Sequence, residues 1–126
     1  MPKKTNQFRL QFKKRIYSWT LNLVKFVDEL SRDLSSQIIA QQLMRSGTSI
    51  GANYEEAGSA SSRRDFVNFL HHCLKSANES LFWLYLSIDT GKVKRSKNSD
   101  ILIKELEEIT KILAASLITI KNKRNF

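Results

Sequence analysis

The stretch Phe12-Lys13-Lys14-Arg15-Ile16-Tyr17-Ser18-Trp19-Thr20-Leu21-Asn22-Leu23-Val24-Lys25-Phe26-Val27-Asp28-Glu29-Leu30 decides the fold class. Large apolar residues return every three or four positions: Phe12, Ile16, Trp19, Leu23, Phe26 and Leu30. That is the period of one face of an α-helix, with charged and polar residues between. The spacing predicts a helix from about Gln7 to Leu34, with Leu34 as the last residue of its inward stripe.

The same period recurs three times further along the chain. Ile39, Leu43, Ser46, Ile50 and Ala57 mark a second helix, opened near Ser35 or Ser36, which are good N-cap types. Its middle, from Ser46 to Ala52, is poor in helix formers, and we read it as unbroken and held by packing against neighbours. Gly58 to Ser61 supplies the stop. Ser62 with Asp65 resembles a capping box for a third helix, whose inward stripe is Phe66, Leu70, Cys73, Ala77, Leu81, Leu84 and Ile88. Gly91 ends it, and Asn98 or Ser99 caps a fourth, with the stripe Leu102, Leu106, Ile109, Leu113, Leu117 and Ile120. Short connections force successive helices antiparallel. The expected fold is all-α, a single antiparallel up-down-up-down four-helix bundle over residues 1–126, with 1–6 and 122–126 as flexible ends.

Composition agrees. The chain has 126 residues, a single Pro and four Gly, too few breakers for a turn-dense β fold. Its one cysteine, Cys73, excludes an internal disulfide and a multi-Cys metal site. The N-terminus has no apolar core of a secretory signal, and no uncharged stretch approaches the ~20 residues that cross a bilayer. The expected location is cytoplasmic, with no membrane partner.

Lys plus Arg number 21 and Asp plus Glu 12, for a net charge of +9. An antiparallel bundle sorts this charge. Both termini and the turn between the second and third helices meet at one end. That end collects Lys3, Lys4, Arg9, Lys13, Lys14, Arg15, Arg63, Arg64, Lys121, Lys123 and Arg124 against the single acid Asp65. At the opposite end Arg32, Lys92, Lys94, Arg95 and Lys97 face as many acids: Asp28, Glu29, Asp33, Asp89 and Asp100. A helix dipole accounts for basic residues in the C-terminal tail but not for Arg63 and Arg64 at a helix start. The expectation is a phosphate-binding platform for RNA or DNA backbone, built from Lys13, Lys14, Arg15, Arg63, Arg64, Lys121, Lys123 and Arg124.

Arg45, Ser49, Asn53 and Glu56 share one narrow face of the second helix. They read as a hydrogen-bonded register or subunit interface, with Arg45 pairing to Glu79 of the third helix or to Glu56 of a neighbour. The alternative is a small-ligand site anchored on Arg45. Enzyme motifs are missing. Adjacent His71 and His72 point about 100° apart and cannot share a metal, and no Glu-x-x-His occurs. Cys73 lies on an inward stripe, Gly47 and Gly51 form no phosphate loop, and Glu55 and Glu56 face apart. No catalytic residue, metal or cofactor is expected. Trp19, Trp83 and Tyr85 read as core or interface residues. The segment from Leu81 to Leu86 is apolar almost all round and asks for a cover beyond four helices, most simply another copy of the chain.

The run Arg45-Ser46-Gly47-Thr48-Ser49-Ile50-Gly51-Ala52-Asn53-Tyr54-Glu55-Glu56-Ala57 resembles the hallmark of the bacterial four helix bundle proteins, also called 23S rRNA intervening-sequence proteins. Some of them are encoded inside insertions in large-subunit ribosomal RNA genes. Ser62, Asp65-Phe66, Phe69-Leu70, Lys75 to Ser80, Trp83-Leu84 and Thr90-Gly91 continue the likeness over nearly the whole chain. The resemblance implies an antiparallel four-helix bundle assembled as a homopentamer, and it brings no catalytic residues. More distantly, the chain is similar to the accessory protein of diversity-generating retroelements, a basic pentamer that binds a reverse transcriptase and nucleic acid. Some family members enter the second helix through a longer, Pro-containing segment, where this chain has the compact Asp33-Leu34-Ser35-Ser36. The function expected is a non-enzymatic homo-oligomer binding nucleic acid through a basic end, with a protein-interaction adaptor as the alternative.

Overall fold

The computed structural model describes the backbone of residues 3–124 and the side chains of residues 6–123. Four helices follow one another: α1 (Lys3–Asp28), α2 (Leu34–Gly58), α3 (Arg63–Asp89) and α4 (Lys97–Arg124). No strand occurs among the described residues. Each helix packs on its sequence neighbours, and α1 closes the ring against α4. This is the up-down-up-down bundle that the short connections require.

The core follows the apolar stripes. Phe12, Ile16, Trp19, Leu23, Phe26 and Leu30 are buried, as are Ile39, Leu43, Ser46, Ile50 and Ala57. Leu102, Leu106, Ile109, Leu113 and Leu117 complete it from α4, whereas Ile120 is only half-buried. In α3 the stripe is turned from the expected phase. Val67, Ser80 and Ser87 are buried, while Phe66, Leu81 and Ile88 are half-buried. The buried serines satisfy their hydroxyls within the backbone of their own helix. Ser80 donates to the Ser76 carbonyl at 2.8 Å and Ser87 to the Leu84 carbonyl at 2.7 Å. A small self-satisfied residue lets a neighbouring helix come close, and Ser80 Oγ also meets Ser46 Oγ of α2 at 2.9 Å. The α2–α3 pair is accordingly the most extensive in the bundle and α1–α4 the least.

Helix ends differ from expectation at three places. Helix α1 stops at Asp28, not Leu34. Leu34 opens α2 and is 75% exposed, so it is no part of the core. The N-cap of α2 is Asp33 in place of Ser35 or Ser36, with extended backbone (φ −70°, ψ 168°). The N-cap position of α4 falls on Ser96. Ser99 N donates to Ser96 Oγ at 3.1 Å and Ser96 N to Ser99 Oγ at 2.9 Å, a reciprocal cap. Residues 3–6 and 122–124 are helical, and residues 1, 2, 125 and 126 lie outside the described set.

The other ends form as read. Ser62 accepts from Asp65 N at 3.1 Å and caps α3. At its far end Gly91 (φ +72°) donates to the Ile88 carbonyl and Lys92 N to the Ser87 carbonyl, both at 3.0 Å. Those two bonds are the Schellman closure that a left-handed residue makes possible. Helix α2 runs unbroken through Ser46–Ala52 because its glycines receive α1. A Cβ on Gly47 would overlap Leu23 Cδ2, and one on Gly51 would meet Ile16 Cγ2 at 3.4 Å.

Those contacts set opposite expectations for two alanine substitutions. Alanine in a helix gains about 1 kcal/mol over glycine. At Gly51 that gain is retained, and Gly51→Ala raises the urea midpoint. At Gly47 the overlap falls on a fully buried Leu23, where overpacking costs about 1–3 kcal/mol. Gly47→Ala therefore lowers the midpoint, and equal shifts for the two variants would contradict this packing.

The α1–α2 corner carries a pH signature. Asp33 accepts from Lys92 Nζ at 2.7 Å, from Ser31 at 2.7 Å, from Ser35 at 2.9 Å and from Ser36. Lys92 foremost, then the three hydroxyls, hold its carboxyl well below the usual carboxylate range. A depressed folded-state pKa contributes stability above the unfolded value of about 3.9, lost as pH falls further. Asp33→Asn has no such charge to titrate. Its stability between about pH 5 and pH 2 falls less steeply than that of the parent protein, and superimposable acid limbs in urea titrations would refute the assignment.

Candidate nucleic-acid interface

The start of α1, the α2–α3 turn and the end of α4 meet at one end of the bundle, as the topology demands. Between them lies a cleft of about 930 Å³ whose lining includes Phe8, Arg9, Phe12, Tyr54, Arg63 and Lys123. Three cations drawn from α1, α3 and α4 thus border one opening.

Their fixings are not carboxylates. Arg63 Nη2 donates to the Ile120 carbonyl at 3.4 Å, in the last turns of α4. The last turns of a helix form the negative end of its dipole, so a cation there is favourable. This gives Arg63 the dipole role that sequence reasoning denied it, but on a neighbouring helix. Arg9 places its guanidinium carbon 4.6 Å from the centroid of the Phe66 ring. Of the acids at this end, Asp65 accepts from Ser61 Oγ at 2.8 Å, and the exposed Glu55 and Glu56 lie in the last turn of α2.

The predicted cationic set divides. Lys13 pairs with Glu55 at 2.8 Å, and Arg15 grips Glu105 through two bonds of 2.6 and 3.1 Å. The Glu105 hydrogen bond also raises the Arg15 pKa further. Both cations are therefore matched by acids that the expected tally of this end left out, Glu55 from the last turn of α2 and Glu105 from α4. Lys14 lines a separate groove of about 650 Å³ between α1 and α2, beside Tyr17 and Leu10. Arg64, Lys121 and Lys123 are exposed, with no carboxylate partner among the described residues. Arg124 closes α4, and its side chain lies outside the described residues. At the opposite end Lys92 pairs with Asp33 at 2.7 Å and Arg95 with Asp100 at 2.9 Å.

Sequence reasoning counted Arg9 in the charge of this end without naming it as a site residue, and it missed Phe8. The available signal was the first apolar stripe, which continues back from Phe12 to Phe8 at the same spacing of four.

The polar face of α2 is a tie to α3. Arg45 pairs with Glu79 and donates to Gln42 Oε1 at 3.0 and 3.1 Å. Trp83 Nε1 donates to the same Glu79 at 2.9 Å. Ser49 and Asn53 bond carbonyls of their own helix, Arg45 O at 2.6 Å and Ser49 O at 2.8 Å, and Glu56 is exposed. Arg45 is thereby engaged through Nε and Nη2. Cys73 is buried, donates to the Ile50 carbonyl at 3.4 Å, and has its thiol pushed up to about 12 by burial. Among the described residues no three His, Cys, Asp or Glu side chains gather as metal ligands, and no helix is long and apolar enough to cross a membrane.

A family model described as 23S rRNA-intervening sequence protein matches residues 9–115. The chain is similar to a crystal structure from Bacteroides thetaiotaomicron, described as a protein with unknown function from the S23 ribosomal protein family. The two share 35% sequence identity with a TM-score of 0.76, over 84% of this chain and 97% of the other. No curated protein matches.

Proposed function

The chain belongs to the 23S rRNA-intervening sequence protein family, and on that premise we propose that it is a non-enzymatic, cytoplasmic, homo-oligomeric bundle that binds nucleic-acid backbone through its cationic end. One observation carries the reading. At the neutral end Lys92 and Arg95 are paired with carboxylates, whereas around the cleft Arg9 and Arg63 are held by an aromatic ring and a helix carbonyl. A carboxylate partner cancels charge, while a ring or a carbonyl dipole orients a cation and leaves its unit charge for a phosphate. The exposed Arg64, Lys121 and Lys123 extend the same field.

Self-association is supported by a second feature. Leu10, Tyr17, Leu21 and Val24 are exposed on one face of α1, turned away from its core stripe, with Tyr17 65% exposed. Phe82 and Tyr85 are exposed on α3, where the sequence asks for a cover. A homopentamer, as the family resemblance implies, would bury such faces. An adaptor that docks a different protein draws on the same α1 stripe and is the reading left if nucleic acid does not bind.

Two measurements test these readings. Affinity for a generic RNA strand falls with added salt, by a log–log slope of about 0.7 for each phosphate neutralised. Replacing Arg63 and Lys123 together by Gln lowers that slope by about 1.4, and a flat salt dependence of the parent protein would overturn the nucleic-acid reading. Light scattering gives a mass near 73 kDa, five times 14.6 kDa. The double variant Tyr17→Glu, Leu21→Glu lowers it, and a parent mass of 14.6 kDa would overturn the assembly.

A further inference from the structure

The cationic cleft also presents a flat apolar ring. Phe8 is 48% exposed at its rim. Phe8 stacks on Phe12, with centroids 5.8 Å apart and planes inclined by 22°. Phe12 is buried and is braced edge-on by Tyr54 at 5.2 Å and 90°. One face of Phe8 is thus backed by a fixed ring.

We propose that this cleft takes an unpaired nucleotide of a single-stranded polynucleotide, with the base stacked on Phe8 and the flanking phosphates on Arg63 and Lys123. The proposal rests on the nucleic-acid reading above and deepens it, by naming a strand with unstacked bases in place of a duplex. Charge complementarity and ring chemistry point to the same ligand. A duplex offers phosphates but keeps its bases inside the stack, so it satisfies the cations and leaves Phe8 in water. A single strand carries an anion and a π-face on every unit, and aromatic side chains take such bases with little regard to sequence. At about 930 Å³ the cleft has room for a nucleotide. The polar groups in its lining include the hydroxyls of Tyr54, Ser116 and Thr119, each able to donate or accept and therefore tolerant of any base edge.

The test is a set of equilibrium titrations of the full chain at fixed salt. The probes are a twelve-nucleotide RNA strand without self-complementarity, its DNA counterpart, the blunt RNA duplex of the same sequence, and an abasic strand of equal length and charge. Dodecyl phosphate serves as a competitor. The duplex has the denser charge, so a purely ionic surface binds it more tightly than the strand. The expected result is the reverse order, with the abasic strand at least fivefold weaker than the base-bearing one. Phe8→Leu weakens the strands about fivefold or more, leaves the duplex unchanged and leaves the salt slope unchanged. Equal RNA and DNA affinities assign the stacking to the base alone, and a preference for RNA adds a contact to the 2′-hydroxyl. The abasic comparison uses the unaltered protein and so decides the matter even if the variant folds poorly. Strand, duplex and abasic probes binding according to charge would overturn the stacking while leaving the cationic reading intact. Failure of every polynucleotide to bind would overturn both, and dodecyl phosphate binding in that case would give the cleft to an anionic amphiphile.

Discussion

The close approach of α2 to α3 is the contact from which the rest of the bundle takes its shape. It depends on small residues at the crossing, where Ser46 and Ser80 join hydroxyls at 2.9 Å and the Cys73 thiol reaches the Ile50 carbonyl at 3.4 Å. Larger side chains at these fully buried positions would push the helix axes apart. Once α2 and α3 are drawn together, Arg45 spans to Glu79 and the connection from Gly58 to Arg63 stays tight. Helices α1 and α4 then close the ring over what remains. Their contact is the least extensive in the bundle, tied by the Trp19 indole N–H to the Leu102 carbonyl at 2.9 Å and by Arg15 to Glu105. Both ties lie away from the cationic end, and there the helices leave a cleft. Tight packing on one side and loose packing on the other are thus two aspects of one arrangement.

What was legible in the sequence is what depends on period and topology. Four helices, their order and most of their buried positions follow from apolar spacing, which one stretch of chain carries by itself. The phase of α3 was not legible for a specific reason. Around Leu81 to Leu86 nearly every position is apolar, so periodicity no longer marks a face, and the faces that pack there are marked by Ser80 and Ser87. Serine reads as a surface or capping residue unless its hydroxyl bonds the backbone of its own helix, which only coordinates reveal. The α1–α2 corner failed for a related reason. Asp33, Ser35 and Ser36 are all capping types in sequence, and nothing in the spacing shows that the Asp33 carboxylate is engaged by Lys92, 59 positions away.

The candidate site was half legible. Antiparallel topology gathers the cations at one end whatever the packing details. Which of them keep their charge is decided by partners remote in sequence. Arg15 and Glu105 are 90 positions apart, and Lys13 meets Glu55 across the α1–α2 groove. A count of charges by helix end cannot foresee which acids of neighbouring helices pair with these cations. Nor does it register Phe8, because an apolar residue extending a core stripe by one more turn reads as core and not as a ring left at the rim.

The remaining question is how several like charges are held together when neither Arg9 nor Arg63 is paired with a carboxylate. Repulsion between guanidinium and ammonium groups near a protein surface is moderated by water, so the cost of gathering them is modest if each keeps its solvation. The fixings seen here meet that condition. Arg9 rests on the face of Phe66, which attracts a cation through its quadrupole and takes no hydrogen bonds from its donors. Arg63 gives a hydrogen bond to a carbonyl near the negative end of the α4 dipole, which offsets part of the repulsion without adding an acid. Each contact restrains a long side chain and so lowers the entropy lost when a phosphate arrives. A salt bridge would restrain it equally well, but the phosphate would then have to displace a carboxylate first. For a surface proposed to receive polyanions, aromatic and carbonyl partners are the better choice of anchor.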